Sequence, residues 1–129
     1  MEMPCVFLNP VDTTQMADNG WQVFDLAEIK KKLKVEPVEY LEFLNVPALN
    51  CGLYSLAAGS KDMQAPHDED EVYLVLTGKA RMQLGDEERE VGPGSLLYIS
   101  ASTEHSFFEI EEDMTLMVFF AAGSMEPRD

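Results

Sequence analysis

From Pro37 onward the chain breaks into short apolar runs, the first of which alternates hydrophobic and polar positions well enough for a strand. These are VEYLEFL, LNCGLYSLAAG, EVYLVLTG, KARMQLG, SLLYIS, HSFFEI and MTLMVFFAAG, and most end at glycine, proline or charged turn residues. Side chains two apart share one face of an extended strand, so each run reads as a strand with one face turned to a core. Gly85-Asp86 and Pro93-Gly94 supply tight-turn chemistry between runs. Short strands at this spacing, with little helix, predict an all-β antiparallel sandwich or barrel.

The helical period shows once, in FDLAEIKKKL. Asp25 can cap the N-terminus, Glu28 can complete a capping box, and Leu26, Ile29 and Leu33 fall on one face. Lys30 to Lys32 lie toward the C-terminal end, where the helix dipole favours cations, and Glu36-Pro37 stops the helix. The organisation expected is an N-terminal arm with a short helix over 1–36, a β-barrel over 37–123 and a flexible tail over 124–129.

Composition narrows the partners. The chain has 129 residues, 46% hydrophobic and 26% charged, which is one soluble domain's worth. Its net charge of -15, from 24 acidic and 9 basic residues, repels phosphate backbones and anionic headgroups. Nucleic-acid and membrane partners are therefore not expected. Cys5 and Cys51 are too few for a disulfide framework or a thiolate zinc site. MEMPCVFLNP has no basic region followed by an apolar core, and no apolar run approaches the roughly 20 residues of a membrane span. A cytoplasmic location is the expectation.

The candidate chemistry lies in QAPHDEDEVYLVLTG, where His67, one of two histidines, precedes four acidic residues and an apolar strand. His67, Glu71, Tyr73 and Val75 have equal strand parity, so an imidazole and a carboxylate share a face. His105, the other histidine, begins HSFFEI. If the fold brings the three together, they form a two-histidine, one-carboxylate set with open positions, which suits non-haem Fe(II). The plain alternative is a solvated acidic turn and a buried, hydrogen-bonded core histidine. Asp68, Glu69 and Asp70 read as a solvated turn that makes the entrance negative. Arg81 reads as an outward-facing surface arginine.

Two spaced motifs in this region resemble the cupins. The family's first motif runs Gly, five residues, His-x-His, three or four residues, Glu, six residues, Gly. Gly59, Ala65, His67, Glu71 and Gly78 hold that spacing, with Ala65 in place of the first histidine. The second runs Gly, five residues, Pro-x-Gly, two residues, His, three residues, Asn. Gly94, Ser100, Ser102, His105 and Glu109 hold it, with Ser100, Ser102 and Glu109 replacing Pro, Gly and Asn.

The resemblance implies an antiparallel double-stranded β-helix, or jelly-roll barrel, with a metal in its mouth. By position, His67, Glu71 and His105 match three of the four usual ligands. Gln64 is a substitute for the donor missing at Ala65 if a bulge at Pro66 turns it inward, although strict parity points it outward. Tyr73 and Phe107 share parity with Glu71 and His105 and can line a pocket beside the metal. The expected cofactor is one divalent transition metal, Fe, Mn, Ni or Zn. The expected function is a metal-dependent oxidoreductase, dioxygenase-like, on a small, partly apolar substrate, with Tyr73 and Gln64 beside the chemistry. A metal-dependent isomerase or lyase and a non-catalytic small-molecule-binding barrel are the alternatives. Cupins often pair through their sheets, so a homodimer is expected.

Overall fold

The computed structural model describes residues 20–33, 38–62 and 69–121. The arm before Gly20, the helix stop at Glu36-Pro37, the tail and the segment carrying Gln64, Ala65, Pro66, His67 and Asp68 lie outside them.

The helical run yields one short helix, α1 (Leu26–Lys30). Asp25 caps it as expected, its Oδ1 accepting from the backbone N–H groups of Ala27 at 2.9 Å and Glu28 at 3.4 Å. The Glu28 carboxylate turns to Lys31 Nζ at 3.3 Å rather than back to the cap. Ile29 is buried, with Leu26 and Leu33 packed beside it, so the anticipated face is the one that docks.

Among the described residues six strands follow: β1 (Val38–Val46), β2 (Leu49–Leu56), β3 (Glu71–Leu84), β4 (Glu87–Val91), β5 (Leu96–Ile99) and β6 (His105–Phe120). All pair antiparallel, in the order β1-β2-β6-β3-β4, with β5 on the free side of β3's first half. This is the all-β architecture anticipated from the alternation. Gly85 and Asp86 form the β3–β4 turn, and Pro93 and Gly94 turn the chain from β4 to β5. The strand β4, EEREV, is absent from the apolar runs because only Val91 is buried. It is a charged edge strand, a composition that discourages pairing with another chain.

Two pairs of runs that read as separate strands prove continuous. EVYLVLTG and KARMQLG make β3, and HSFFEI and MTLMVFFAAG make β6. The interruption is a change of face. On β3 the buried positions are Glu71, Tyr73 and Val75, then Gly78, Ala80 and Met82. On β6 they are His105 and Phe107, then Ile110 and Met114 to Phe120 in alternation. Opposite Val75 to Arg81, β6 runs from Leu116 to Phe108, two residues longer, with bulges between Val75 and Arg81. A bulge bends the strand that carries it, and here the whole ribbon turns a corner. Gly78 sits at the corner with φ +99°, and a Cβ there would stand 2.5 Å from the Asp113 carbonyl oxygen and 2.6 Å from Met114 Cα.

The curled sheet buries both faces along part of its width, which is why LNCGLYSL does not alternate. Tyr54 and Leu56 of β2 point into the barrel among Tyr40, Met82, Phe107 and Leu116. Cys51 and Leu53 face outward with Leu41 and Phe43, under Ile29 and Phe24. Phe24 meets Phe43 edge to face at 5.0 Å.

Burial, then the charge of Glu42, push the Cys51 thiol up to about 11. The fold prefers the neutral thiol, so this contribution to stability is complete below the ordinary thiol range and declines as pH rises from about 8.5 toward 11. At pH 8 the folded thiolate fraction is on the order of one in a thousand. Site-resolved mass spectrometry after iodoacetamide treatment at pH 8 should find Cys51 unmodified in the folded protein and alkylated in urea. Rapid native labelling of Cys51 would contradict its burial.

Candidate functional site

The corner that ends the alternation also creates the site. Glu71 pairs with Phe120 at one end of the β3–β6 ladder, and Leu84 pairs with His105 at the other. A straight strand of β3's 14 residues would hold those ends roughly 43 Å apart. In the curled barrel Glu71 Oε2 and His105 Nε2 are 3.1 Å apart, each side chain only 1% exposed. The structure thus joins two of the three residues expected to bind a metal. His67, the third, and Gln64 fall outside the described residues. Among the described residues no group of three or more His, Cys, Asp or Glu is placed to hold a metal ion.

The remaining contacts orient the imidazole. His105 Nδ1 lies 2.8 Å from the Thr103 carbonyl oxygen, which can only accept, so Nδ1 carries a proton. Nε2 therefore faces Glu71 with a lone pair unless it is protonated as well, and the Tyr73 hydroxyl stands 3.3 Å from it. A lone pair and a carboxylate oxygen at 3.1 Å repel each other unless something positive lies between them. A second proton on the imidazole meets that need. Burial pushes the His105 pKa down, but the Glu71 hydrogen bond, the Thr103 carbonyl and the charges of Glu71 and Asp62 outweigh it, and the net shift is upward. A divalent cation meets the need equally. Two donors each about 2.1 Å from a shared cation, roughly at right angles, stand about 3 Å apart. The donor set, one imidazole held by a carbonyl behind it and one carboxylate, is one that divalent transition metals accept. The residues present fit the group the motifs imply.

Tyr73 lies on the same face as Glu71, as its parity requires. Its ring meets His105 at 5.9 Å and Phe107 at 5.3 Å between centroids, both edge to face. Phe107, two residues after His105, is buried beside it. One end of the barrel interior is therefore polar and the rest aromatic and aliphatic. Arg81 points outward, as expected, to Glu88 at 3.3 Å and Glu90 at 3.6 Å.

Three features lie beyond the reach of the sequence patterns. Asp70 does not belong to a solvated turn. Its carboxylate accepts from Ala101 N at 2.8 Å and its carbonyl from Ala121 N at 3.0 Å. It thereby fastens the loop that presents His105, because a strand start needs partners for its neighbours' backbone donors. Asp62, which is buried, bonds Tyr54 and the backbone of Phe107. One aspartate among 24 acidic residues gives no sequence signal of such a role. Finally, Ser102 and Glu109 adopt φ +69° and +48°. They occupy the Gly and Asn positions of the second motif, the residue types that tolerate the left-handed region. Ser102→Gly should therefore raise stability by about 0.5–1 kcal/mol, the relieved strain exceeding the added chain entropy. Urea unfolding midpoints measure this, and a lowered midpoint would show that the strain is absent.

Comparison with known proteins agrees with this architecture. The family model described as "Cupin domain" matches residues 52–121, more than half of the chain. An uncharacterized protein of Streptomyces coelicolor is 38% identical over 100 residues, spanning 78% of this chain and 95% of that one. The crystal structure of TT1209 from Thermus thermophilus superposes with a TM-score of 0.67 at 22% identity, over 79% of this chain and 98% of that one. The DMSP lyase DddQ of Ruegeria pomeroyi superposes with a TM-score of 0.62 at 15% identity, over 83% of this chain and 58% of that one. At these identities the two structures establish likeness of fold.

Proposed function

The chain belongs to the cupin family, and from that premise we propose that it is a metal-dependent enzyme acting on a small, partly apolar molecule at the Glu71–His105 end of its barrel. The observation that carries the proposal is the 3.1 Å approach of two buried donors from opposite ends of one ribbon. Glu71 and His105 would hold a divalent transition metal, with His67 as the third ligand by its place in the motif and Gln64 as the substitute for the donor missing at Ala65. The metal would supply a Lewis-acid or redox centre.

The chain's own residues account for the rest. Thr103 fixes the imidazole tautomer through Nδ1, which keeps Nε2 turned toward Glu71. Tyr73 and Phe107 wall the site with rings, which favours the apolar part of a ligand and limits water. The Tyr73 hydroxyl, 3.3 Å from His105 Nε2, can give or take a proton beside the bound molecule.

The first reading is oxidoreductase chemistry of the dioxygenase type, because two histidines and one carboxylate leave adjacent positions open. The protein should be loaded anaerobically with Fe(II) and oxygen uptake followed with catechols, diketones and thiols. Uptake dependent on both metal and substrate is expected, and none from a fully loaded protein would overturn this reading. The Tyr73 hydroxyl favours a second reading, isomerase or lyase chemistry with Tyr73 as the proton-transfer group. Turnover without oxygen, abolished in Tyr73→Phe, would select it. A protein that takes up less than about a tenth of an equivalent of metal would instead be a binding barrel, since both schemes require coordination.

A further inference from the structure

Among the described residues, the half of β6 that carries His105 has a strand on one side only. Phe108 to His105 pair with Arg81 to Leu84 of β3, whereas β2 pairs with β6 only over Met114 to Phe120. Beyond β2 the chain continues along that open edge. Leu56 faces Met114, Gly59 N–H donates to the Ile110 carbonyl at 3.0 Å, and Asp62 Oδ2 accepts from Phe107 N at 3.0 Å. Residues 57–62 thus line that edge, each contact a step nearer His105. At the last step the partner is a side-chain carboxylate. Its other oxygen accepts from the hydroxyl of Tyr54 on β2 at 2.6 Å.

A carboxylate is a costly choice for a 6% exposed position. Desolvating an anion costs several kcal/mol unless it is fully bonded, and a backbone carbonyl could serve a single N–H. The Asp62 carboxylate presents a separate oxygen to each of two donors and so joins β2 through Tyr54, β6 through Phe107 and the segment that follows β2.

We infer that Asp62 is a positioning residue of the site: its carboxylate fixes the His105 half of β6, and with it the imidazole, relative to Glu71. The inference rests on the metal-site reading above but makes a claim about the imidazole that holds without metal.

Asp62→Asn retains the shape and one acceptor but loses the charge, and Tyr54→Phe retains the carboxylate but removes one of its donors. Two readouts apply to the full chain. The first is the long-range 1H–15N spectrum of the two histidine rings, assigned with His105→Ala, without metal. The second is titration with Co(II), read from its visible absorption. In Asp62→Asn the His105 ring signals should shift or broaden, and Co(II) should bind roughly tenfold more weakly with an altered spectrum. Tyr54→Phe should move both readouts in the same direction by a smaller factor, and it decides the matter if Asp62→Asn does not fold. Unchanged His105 signals together with Co(II) affinity within about twofold of the parent would overturn the assignment. If the parent takes up no Co(II), the metal-site reading fails, and the ring signals alone then support or overturn the role of Asp62.

Discussion

Gly78→Ala should lower stability by about 4 kcal/mol, a large share of the roughly 5–15 kcal/mol that holds an ordinary domain folded. Two causes act together. At φ +99° an L side chain is strained whatever space surrounds it, at a cost of about 1–2 kcal/mol. The added methyl would also be driven into the backbone of Asp113 and Met114, 2.5 and 2.6 Å from its Cβ. Backbone cannot rotate aside as a flexible side chain can, so overpacking adds about 1–3 kcal/mol. Denaturant unfolding monitored by circular dichroism measures the loss. Gly85→Ala is the control, because Gly85 has φ +60° and a methyl added there would meet nothing within 4 Å, which isolates conformational strain from overlap. Equal losses in both variants would mean that the β6 corner yields, and that Gly78 is required only for its backbone angle.

The second large effect concerns the site. His105→Ala and Glu71→Gln should each weaken binding of a divalent transition metal at least a hundredfold, about 2.7 kcal/mol, while the far-ultraviolet circular dichroism of the barrel persists. Glu71→Gln is the cleaner variant, since it preserves volume and one oxygen while removing the charge that favours a cation. His105→Ala leaves a cavity and a buried carboxylate facing it, so it also costs stability, by about 1–3 kcal/mol. Elemental analysis of protein expressed with supplied iron or manganese, together with calorimetric titration of metal-free protein, gives stoichiometry and affinity. Stoichiometric metal in both variants would place any cation elsewhere and leave the Glu71–His105 pair as an ion pair internal to the apo fold.

Much of this architecture is written locally. Alternation sets which side chains face inward, and Glu71, Tyr73 and Val75 on one side of β3 and His105 and Phe107 on one side of β6 are buried as their parity requires. Asp25 caps a helix because capping needs only the next three residues. The glycines that frame the two motifs carry local information too: Gly59, Gly78 and Gly94 all have positive φ, which is the reason for glycine at those spacings. Where Ser102 and Glu109 replace the motif's residues, the backbone keeps the left-handed angle. The geometry at those positions is therefore set by the surrounding fold rather than by the residue's own preference.

The sequence alone, then, determined the apolar strand segments, the inward residues at the starts of β3 and β6, the turns and the short list of donors, because each depends on neighbours a few positions away. Tertiary structure alone decided that β3 and β6 are each one strand bent at a corner. A period-two pattern that changes face reads as two strands when its partner is unknown. It also decided that Glu71 and His105, at opposite ends of the same ladder, meet at 3.1 Å. That contact follows from the bulges opposite Gly78 and from curling of the whole sheet, and no run of adjacent residues encodes it. The same holds for Asp62 and Asp70, whose carboxylates resemble any surface acid until the backbone N–H groups of Phe107 and Ala101 are brought to them.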